Sequence, residues 1–301
     1  RVTHATLECM DFCGIREDST EGKGVFSPSE LNLLRTADAF AVVLRNFHDT
    51  SIDASAGPCD PETDYTAVRT ELALDDYILV QTRLERIEEK TRKNLRNQAL
   101  LVERDALAKI SPFLDDPDAT PIPTLMQEEE KAIRGLRLLS LKPLLIVLNS
   151  DENTFGSDPG LLERLERSSR VVEFAGKFEM DLTRLEPEEA RAFMDDMGIV
   201  SSARERLTRA AYDLLGYISF FTVGEDEVRA WTIRQGTTAQ EAAGVIHSDL
   251  ARGFIRAECF SCRDLLAYGS EKTLKDRGLV RTEGKAYVVK DGDVLSIRFN
   301  V

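Results

Sequence analysis

The sequence predicts an α/β protein whose sheet is interrupted by an inserted antiparallel helical hairpin and followed by a smaller α+β domain. Three observations support this. From Leu141 the chain runs Leu-Lys-Pro-Leu-Leu-Ile-Val-Leu and stops at Asn149-Ser-Asp-Glu152; such a run without alternation suits a strand covered on both faces, as in a parallel sheet. Strand-like and helix-like segments alternate both before and after a long charged helical region. From Tyr217 onward the pattern changes to short strands around short helices, with glycine-bearing turns, which suits a compact α+β domain.

In chain order, Leu7 to Phe12 reads as a short strand ending in Asp11-Phe-Cys-Gly14. An Asp-x-x-Gly at a strand end is either an ordinary turn or, as in nucleotide hydrolases, a loop whose Asp holds Mg²⁺ through water and whose Gly N–H meets the γ-phosphate. Residues 16–28 are polar and glycine-bearing and read as a loop, and Ser27-Pro28 starts a helix by Ser capping and Pro in the first turn. Ala39 to Asn46 is the next buried strand, and a loop containing the lone His48 follows. Residues 65–110 and 124–139 read as two helices. The breaker Asp115-Asp-Pro-Asp-Ala-Thr-Pro-Ile-Pro123 forms the hairpin tip, with a seam at Val80, Leu84 and Ile87 facing Leu125, Ala132, Leu136 and Leu139.

The run ending at Asn149 is the central strand of this scheme. Ligands of open α/β sheets sit beyond the carboxyl ends of the strands, so Asn149 and Glu152 stand where an amide and a carboxylate could meet a purine edge. The same residues also read as a helix cap by Asn149, Ser150 or Asp151. Beyond it, helices are expected over 160–168, 186–197 and 202–215, and strands over 170–174, 219–223, 228–233, 287–289 and 295–300.

Composition narrows the function. The 301 residues carry a net charge of −14, which opposes indiscriminate binding to nucleic acid and confines any RNA contact to a local cluster. Arg83, Arg86, Lys90, Arg92, Lys93 and Arg96 form such a cluster on the helical arm, interleaved with Glu85, Glu88 and Glu89, so a solvated, internally paired face is the competing reading. The five cysteines are an odd, scattered set, which suits reduced thiols; Cys259-x-x-Cys262 has no second pair or His cluster to complete a zinc site. No apolar run approaches the roughly 20 residues that cross a bilayer, and the expected address is cytoplasmic.

Thr70-Glu-Leu-Ala-Leu-Asp-Asp76, Asn149-x-x-Glu152, Phe220-Phe-Thr-Val-Gly224, Glu227-Val-Arg-Ala-Trp-Thr-Ile233, 246–258, Tyr287-Val-Val-Lys-Asp-Gly-Asp-Val294 and Phe299-Asn-Val301, taken together, resemble the YchF/Obg-like ATPase family. The resemblance implies a P-loop NTPase domain over 1–76 and 140–216, a helical coiled-coil insertion over 77–139, and a TGS domain of ubiquitin-like fold over 217–301. It implies ATP, preferred over GTP, with Mg²⁺. Asn149 and Glu152 replace the Asn-Lys-x-Asp that pairs with guanine, Ala175-Gly176-Lys177 is the last base-side loop, and Asp11 and Gly14 face metal and γ-phosphate. Ile15 matches the family's hydrophobic substitution of the catalytic Gln, so no catalytic residue is assigned. The implied partners are ATP or GTP and the ribosome or RNA, met through the arm and the TGS domain, with no membrane.

The chain departs from the family pattern at the phosphates. It contains no G-x-x-x-x-G-K-[ST]: Gly22-Lys23 is followed by Gly24 and preceded at the required place by Glu17, and Gly284-Lys285 is followed by Ala286. The expectation is a family member without its first strand, P-loop, first helix and switch I, in which hydrolysis depends on the missing P-loop. The alternative is a non-catalytic ribosome- or RNA-binding module.

Overall fold

The computed structural model describes residues 2–4, 6–12, 28–93, 97–224 and 226–300. The chain forms two compact units, one of residues 11–207 and the other of 1–10 with 208–301. Strand β1 (Val2–Thr3) belongs to the second unit, paired parallel with a later strand. The strand expected over Leu7 to Phe12 is absent: residues 6–12 hold no strand. Its last apolar residue instead packs into a cluster, with Phe12 against Leu34, Leu72 and Leu139.

In the larger unit, α1 (Pro28–Leu34) leads into β2 (Phe40–Asn46), and α2 (Thr50–Ala56) follows, capped by Asp49. Helix α3 (Pro61–Arg92) then runs for 32 residues. Asp60 caps it by accepting from Thr63 N at 3.1 Å, Pro61 sits in the first turn, and Glu62 and Asp64 at the start with Lys90 and Arg92 at the end complement the helix dipole. Helix α4 (Gln98–Asp115) starts from the cap Asn97, whose side chain accepts from Ala99 N.

These two helices pack antiparallel. Arg83 pairs with Glu103, Gln81 donates to Ser111 at 3.0 Å, and Arg69 reaches Asp118 at 2.9 Å, so partners recede along one helix as they advance along the other. Ala73, Val80 and Ile87 share a core with Ala106, Leu107, Ile110 and Phe113. The hairpin therefore returns between Arg92 and Asn97, and the proline-rich segment lies beside Arg69 instead of forming the tip. The periodicity hid this because no Gly or Pro marks the reversal; the only local signal is Asn97 as a cap. Helix α5 (Gln127–Ile133) joins the same core through Ile133, and its Glu129 accepts from Lys109.

The expected interrupted sheet is present. β3 (Leu144–Ser150) pairs parallel with β2 and with β4 (Arg170–Ala175), in the order β2-β3-β4. Registers Asn46↔Ser150 and Ser150↔Ala175 align the three carboxyl ends. Helix α6 (Pro159–Glu166) lies between β3 and β4, and its Leu161 and Leu165 pack with Leu44, Ile146 and Leu148. α7 (Gly176–Leu182), α8 (Pro187–Asp196) and α9 (Ala203–Leu215) follow, and the unit boundary falls within α9.

At the opposite, amino-terminal end of the strands, a polar knot fixes the arm. Fully buried Asp76 accepts from Ser140 N at 2.8 Å, Ser140 Oγ at 2.7 Å and Arg35 Nη1 at 3.1 Å. Lys142 donates to the carbonyls of Leu34, Arg35 and Ala37 at the end of α1.

The smaller unit is a six-stranded mixed sheet in the order β1-β6-β5-β9-β7-β8. β5 (Tyr217–Val223) and β6 (Val228–Arg234) form an antiparallel pair; α10 (Ala239–Ile246) and α11 (Ser248–Arg252) precede β7 (Phe254–Ser261). α12 (Cys262–Tyr268), α13 (Glu271–Asp276), β8 (Arg281–Glu283) and β9 (Asp293–Phe299) complete it. The alanines of α10 pack on Phe220, Ile233, Cys259 and Leu295. Residues 287–289, expected as a strand, make only the isolated bridge Thr238↔Val288. β7, absent from the sequence reading, occupies that role by pairing with β9.

Candidate functional site

The carboxyl ends of β2, β3 and β4 form the edge beyond which ligands of open parallel sheets sit. Strand alternation sends neighbouring residues of β3 to opposite faces, and the two last residues use this differently. Ser150 is buried and fixed: Asn46 Nδ2 donates to its oxygen at 2.8 Å, and its hydroxyl donates to Glu173 Oε1 at 2.6 Å. Asn149, half-buried on the other face, has no side-chain hydrogen bond within the described residues and lies against Gly176. A Cβ at Gly176 would come within 2.3 Å of Asn149 Oδ1, so glycine is what lets the start of α7 approach the amide.

Beyond Ser150 the chain makes a tight turn over 152–157. Asp151 Oδ1 accepts from Asn153 N at 2.9 Å and Thr154 N at 2.8 Å, and Thr154 Oγ1 donates to the Asn46 carbonyl at 2.7 Å. Gly156, at φ +68° in the left-handed region open to glycine, donates its N–H to Glu173 Oε2 at 3.2 Å. The Thr154 N–H holds the Asp151 carboxyl below its ordinary range. The cap alternative thus resolves into an Asx-type turn made by Asp151, while α6 takes its cap from Asp158. Glu152 sits inside this turn with its backbone neighbours pinned. Its own exposed carboxylate has no partner among the described residues.

Of the residues singled out by sequence, the structure gathers Asn149, Ala175 and Gly176 at one edge, with Glu152 on the adjoining turn. Ala175 is fully buried and donates its N–H to Glu179 Oε1 at 3.2 Å, so its part is to carry Gly176. Buried Glu179 is paired with Arg206, whose guanidinium lies 4.9 Å from the Phe174 ring centroid. Lys177, exposed, adds its positive charge to the Ser51 hydroxyl and backbone N–H groups that hold Asp49 below its usual range.

Asp11 is exposed, in a segment without regular structure, and Gly14 and Ile15 lie outside the described residues. No group of three or more His, Cys, Asp or Glu side chains among the described residues could hold a metal ion. Mg²⁺ is often held by one or two carboxylates with phosphate and water, and Asp11 could supply one. Glu173, Asn46, Thr154 and Gly156 escaped the sequence reading. The available signal was Glu173 itself, a charge inside the otherwise apolar Val171-Val-Glu-Phe-Ala175.

Two of the arm cations have other standing. Arg83 is committed to Glu103 through Nε at 2.6 Å and Nη2 at 2.9 Å, and Arg96 lies outside the described residues. Arg86, Lys90, Arg92 and Lys93 are exposed, with Arg92 3.7 Å from Glu88. No helix among the described residues is long and apolar enough to cross a membrane.

A parallel sheet flanked by helices, with an amide and a carboxylate at its carboxyl edge that have no partner among the described residues, defines an α/β protein of the open-sheet class. A family model described as "YchF-GTPase_C: Protein of unknown function (DUF933)" matches residues 217–300. The chain is 36% identical to the "Ribosome-binding ATPase YchF" of Bacillus subtilis (strain 168), covering 100% of this chain and 83% of that one, and 35% identical over the same shares to its namesake from Escherichia coli O157:H7. The solved "Structure of the Schizosaccharomyces pombe YchF GTPase" superposes with a TM-score of 0.79 at 29% identity, over 94% of this chain and 78% of that chain. The chain belongs to the YchF family.

Proposed function

We propose that this chain is a cytoplasmic, ribosome-associated purine-nucleotide-binding protein that prefers ATP to GTP. The observation that carries the base preference is the pairing of two unused polar side chains on a rigid edge: the Asn149 amide against Gly176, and the Glu152 carboxylate on the pinned turn. A carboxamide can accept from the adenine N6 amino group while donating to N7, and a carboxylate can accept from the same amino group. Guanine presents an acceptor, O6, in place of N6, so the acceptors of the pair face an acceptor. Residues 1–76 and 140–216 are the nucleotide-binding domain of P-loop NTPase type in this reading, 77–139 the helical insertion, and 217–301 a TGS domain. Asp11 would hold Mg²⁺, which screens phosphate charge when bound; Gly14, the other residue of that motif, lies outside the described residues.

Phosphate contacts through backbone N–H groups and Lys dominate affinity in P-loop proteins, and residues 1–301 contain no G-x-x-x-x-G-K-[ST]. These residues are therefore expected to bind ATP weakly and hydrolyse it negligibly. Saturation-transfer NMR at high nucleotide concentration is the matching assay. ATP should saturate at lower concentration than GTP, and Asn149→Ala or Glu152→Ala should bring the two together. Equal affinities in the unmodified chain would refute the base reading.

The names of the relatives supply the ribosome as partner. A second reading keeps ribosome or RNA binding without hydrolysis, and the exposed Arg86, Lys90, Arg92 and Lys93 on the arm favour it as the phosphate-facing surface.

A further inference from the structure

We propose that Glu173 is the positioning residue of the base-reading turn. The inference rests on the reading of Asn149 and Glu152 as the purine-recognition pair, and adds a residue that touches neither nucleotide nor pair. Glu173 lies on β4 opposite Leu148, so its side chain shares a face with Ser150. Both carboxylate oxygens are used: Oε1 accepts from Ser150 Oγ at 2.6 Å and Oε2 from Gly156 N at 3.2 Å. Asn46, the last residue of β2, completes the link by donating to Ser150 at 2.8 Å, while its carbonyl accepts from Thr154 Oγ1 at 2.7 Å.

Three neighbouring strands thereby hold one turn at two points, on the β2 side through Thr154 and on the β4 side through Gly156. Two consequences follow for the pair. Ser150, buried and held on one face, leaves Asn149 on the opposite face beside Gly176. Glu152, between the strand end and Gly156, has its backbone direction set while its side chain stays free. A carboxylate is the group suited to this place, because it alone offers two acceptors to two donors that arrive from different segments. Positioning of this kind acts on selectivity more than on overall affinity, since a base edge discriminates by donor and acceptor placement.

The test uses residues 1–301 with ATP, GTP and inorganic tripolyphosphate as probes, read by saturation-transfer NMR alongside thermal unfolding. Glu173→Ala should lower the ATP-over-GTP affinity ratio by about fivefold, the weight of one hydrogen bond misaligned, and leave tripolyphosphate binding unchanged. Glu173→Gln keeps one acceptor and should lose about twofold, which preserves the test if the alanine variant does not fold. An unchanged ratio in the Gln variant and in a folded Ala variant, with Asn149→Ala lowering it, would overturn the role of Glu173 alone. A ratio unmoved by Asn149→Ala and Glu152→Ala would overturn the base reading and this inference with it. A fall in unfolding temperature without a change in ratio would make Glu173 a structural residue only.

Discussion

Asp76 offers the sharpest test of how the arm is held. Its carboxylate is fully buried, takes three hydrogen bonds from Ser140 and Arg35, and belongs to α3 at the point where that helix passes the start of the sheet. Burial pushes the carboxyl above its ordinary range, against the Ser140 donors and the Arg35 charge that favour ionisation. Replacing Asp76 by Ala leaves the Ser140 N–H and hydroxyl without their acceptor in a site closed to water. Arg35 is not orphaned, because it keeps Asp75 and the carbonyls of Leu136 and Arg137. Breaking a buried charged pair costs about 3–5 kcal/mol; with Arg35 partly retained, the lower end, about 3 kcal/mol, is expected. Asp75→Ala, which removes a partly exposed partner, should cost under about 1 kcal/mol. Urea unfolding followed by helical circular dichroism, with Arg35→Ala completing a double-mutant cycle, measures both. A loss below about 1 kcal/mol for Asp76→Ala would show that the knot adds nothing beyond packing.

Further outcomes are expected elsewhere. In the smaller unit, burial pushes the Cys259 thiol up to about 11, and burial also raises the Tyr287 phenol, which donates to Asp293 at 2.8 Å. Both folded-state values exceed the unfolded ones, so the contribution is fully present below about pH 8.5 and falls as pH rises toward 11, by at most about 1.4 kcal/mol per unit per group; Cys259→Ala should flatten the Cys259 part of that loss. Thiol labelling at pH 8 should mark exposed Cys9 well before Cys259, which is spared until the sheet opens. On the arm, Arg86→Gln, Lys90→Gln, Arg92→Gln and Lys93→Gln together should flatten the salt dependence of ribosome association by about one log–log unit per lost phosphate contact; an unchanged slope in co-sedimentation would make the arm a solvated face. Glu152→Asp should narrow the ATP preference, and no narrowing would remove Glu152 from base recognition.

Much of the architecture was legible because burial writes itself plainly in apolar runs. Phe40–Asn46, Leu144–Ser150 and Arg170–Ala175 read as strands, and their parallel pairing across the inserted arm follows from alternation with helices. The hairpin's point of return was not legible, since Arg92 to Asn97 offers no helix breaker and the antiparallel pairing of α3 and α4 shows only in the packing of Val80 and Ile87 with Ala106, Leu107 and Ile110. Asn149 and Glu152 were visible as polar residues ending an apolar strand. The chain of contacts behind them was not, because Asn46, Ser150 and Glu173 meet only through register across strands more than a hundred residues apart in part. The structure also adds a constraint: Ser150 is buried between two partners, so the Lys of a guanine-reading Asn-Lys-x-Asp could not stand there without breaking the link to Glu173.

The placement of the arm between two adjacent strands has a kinetic side. Asn46 and Ser150 touch although 104 residues separate them, so β2 leaves the ribosome long before its neighbour exists. Contacts within α3 and α4 are local by comparison and can form first. Once the hairpin has folded, the flexible path joining β2 to β3 shrinks to the segments on either side of it, roughly two fifths of the full length. On a logarithmic closure law that shortening removes about 0.7 kcal/mol of chain entropy from the pairing step. The arm would then set the order of events in folding, with β3 docking on β2 only after the hairpin has formed and β4 completing the edge afterwards. Variants that weaken the helical core, such as Ile87→Ala or Leu107→Ala, should accordingly slow the appearance of the sheet as well as lower its stability.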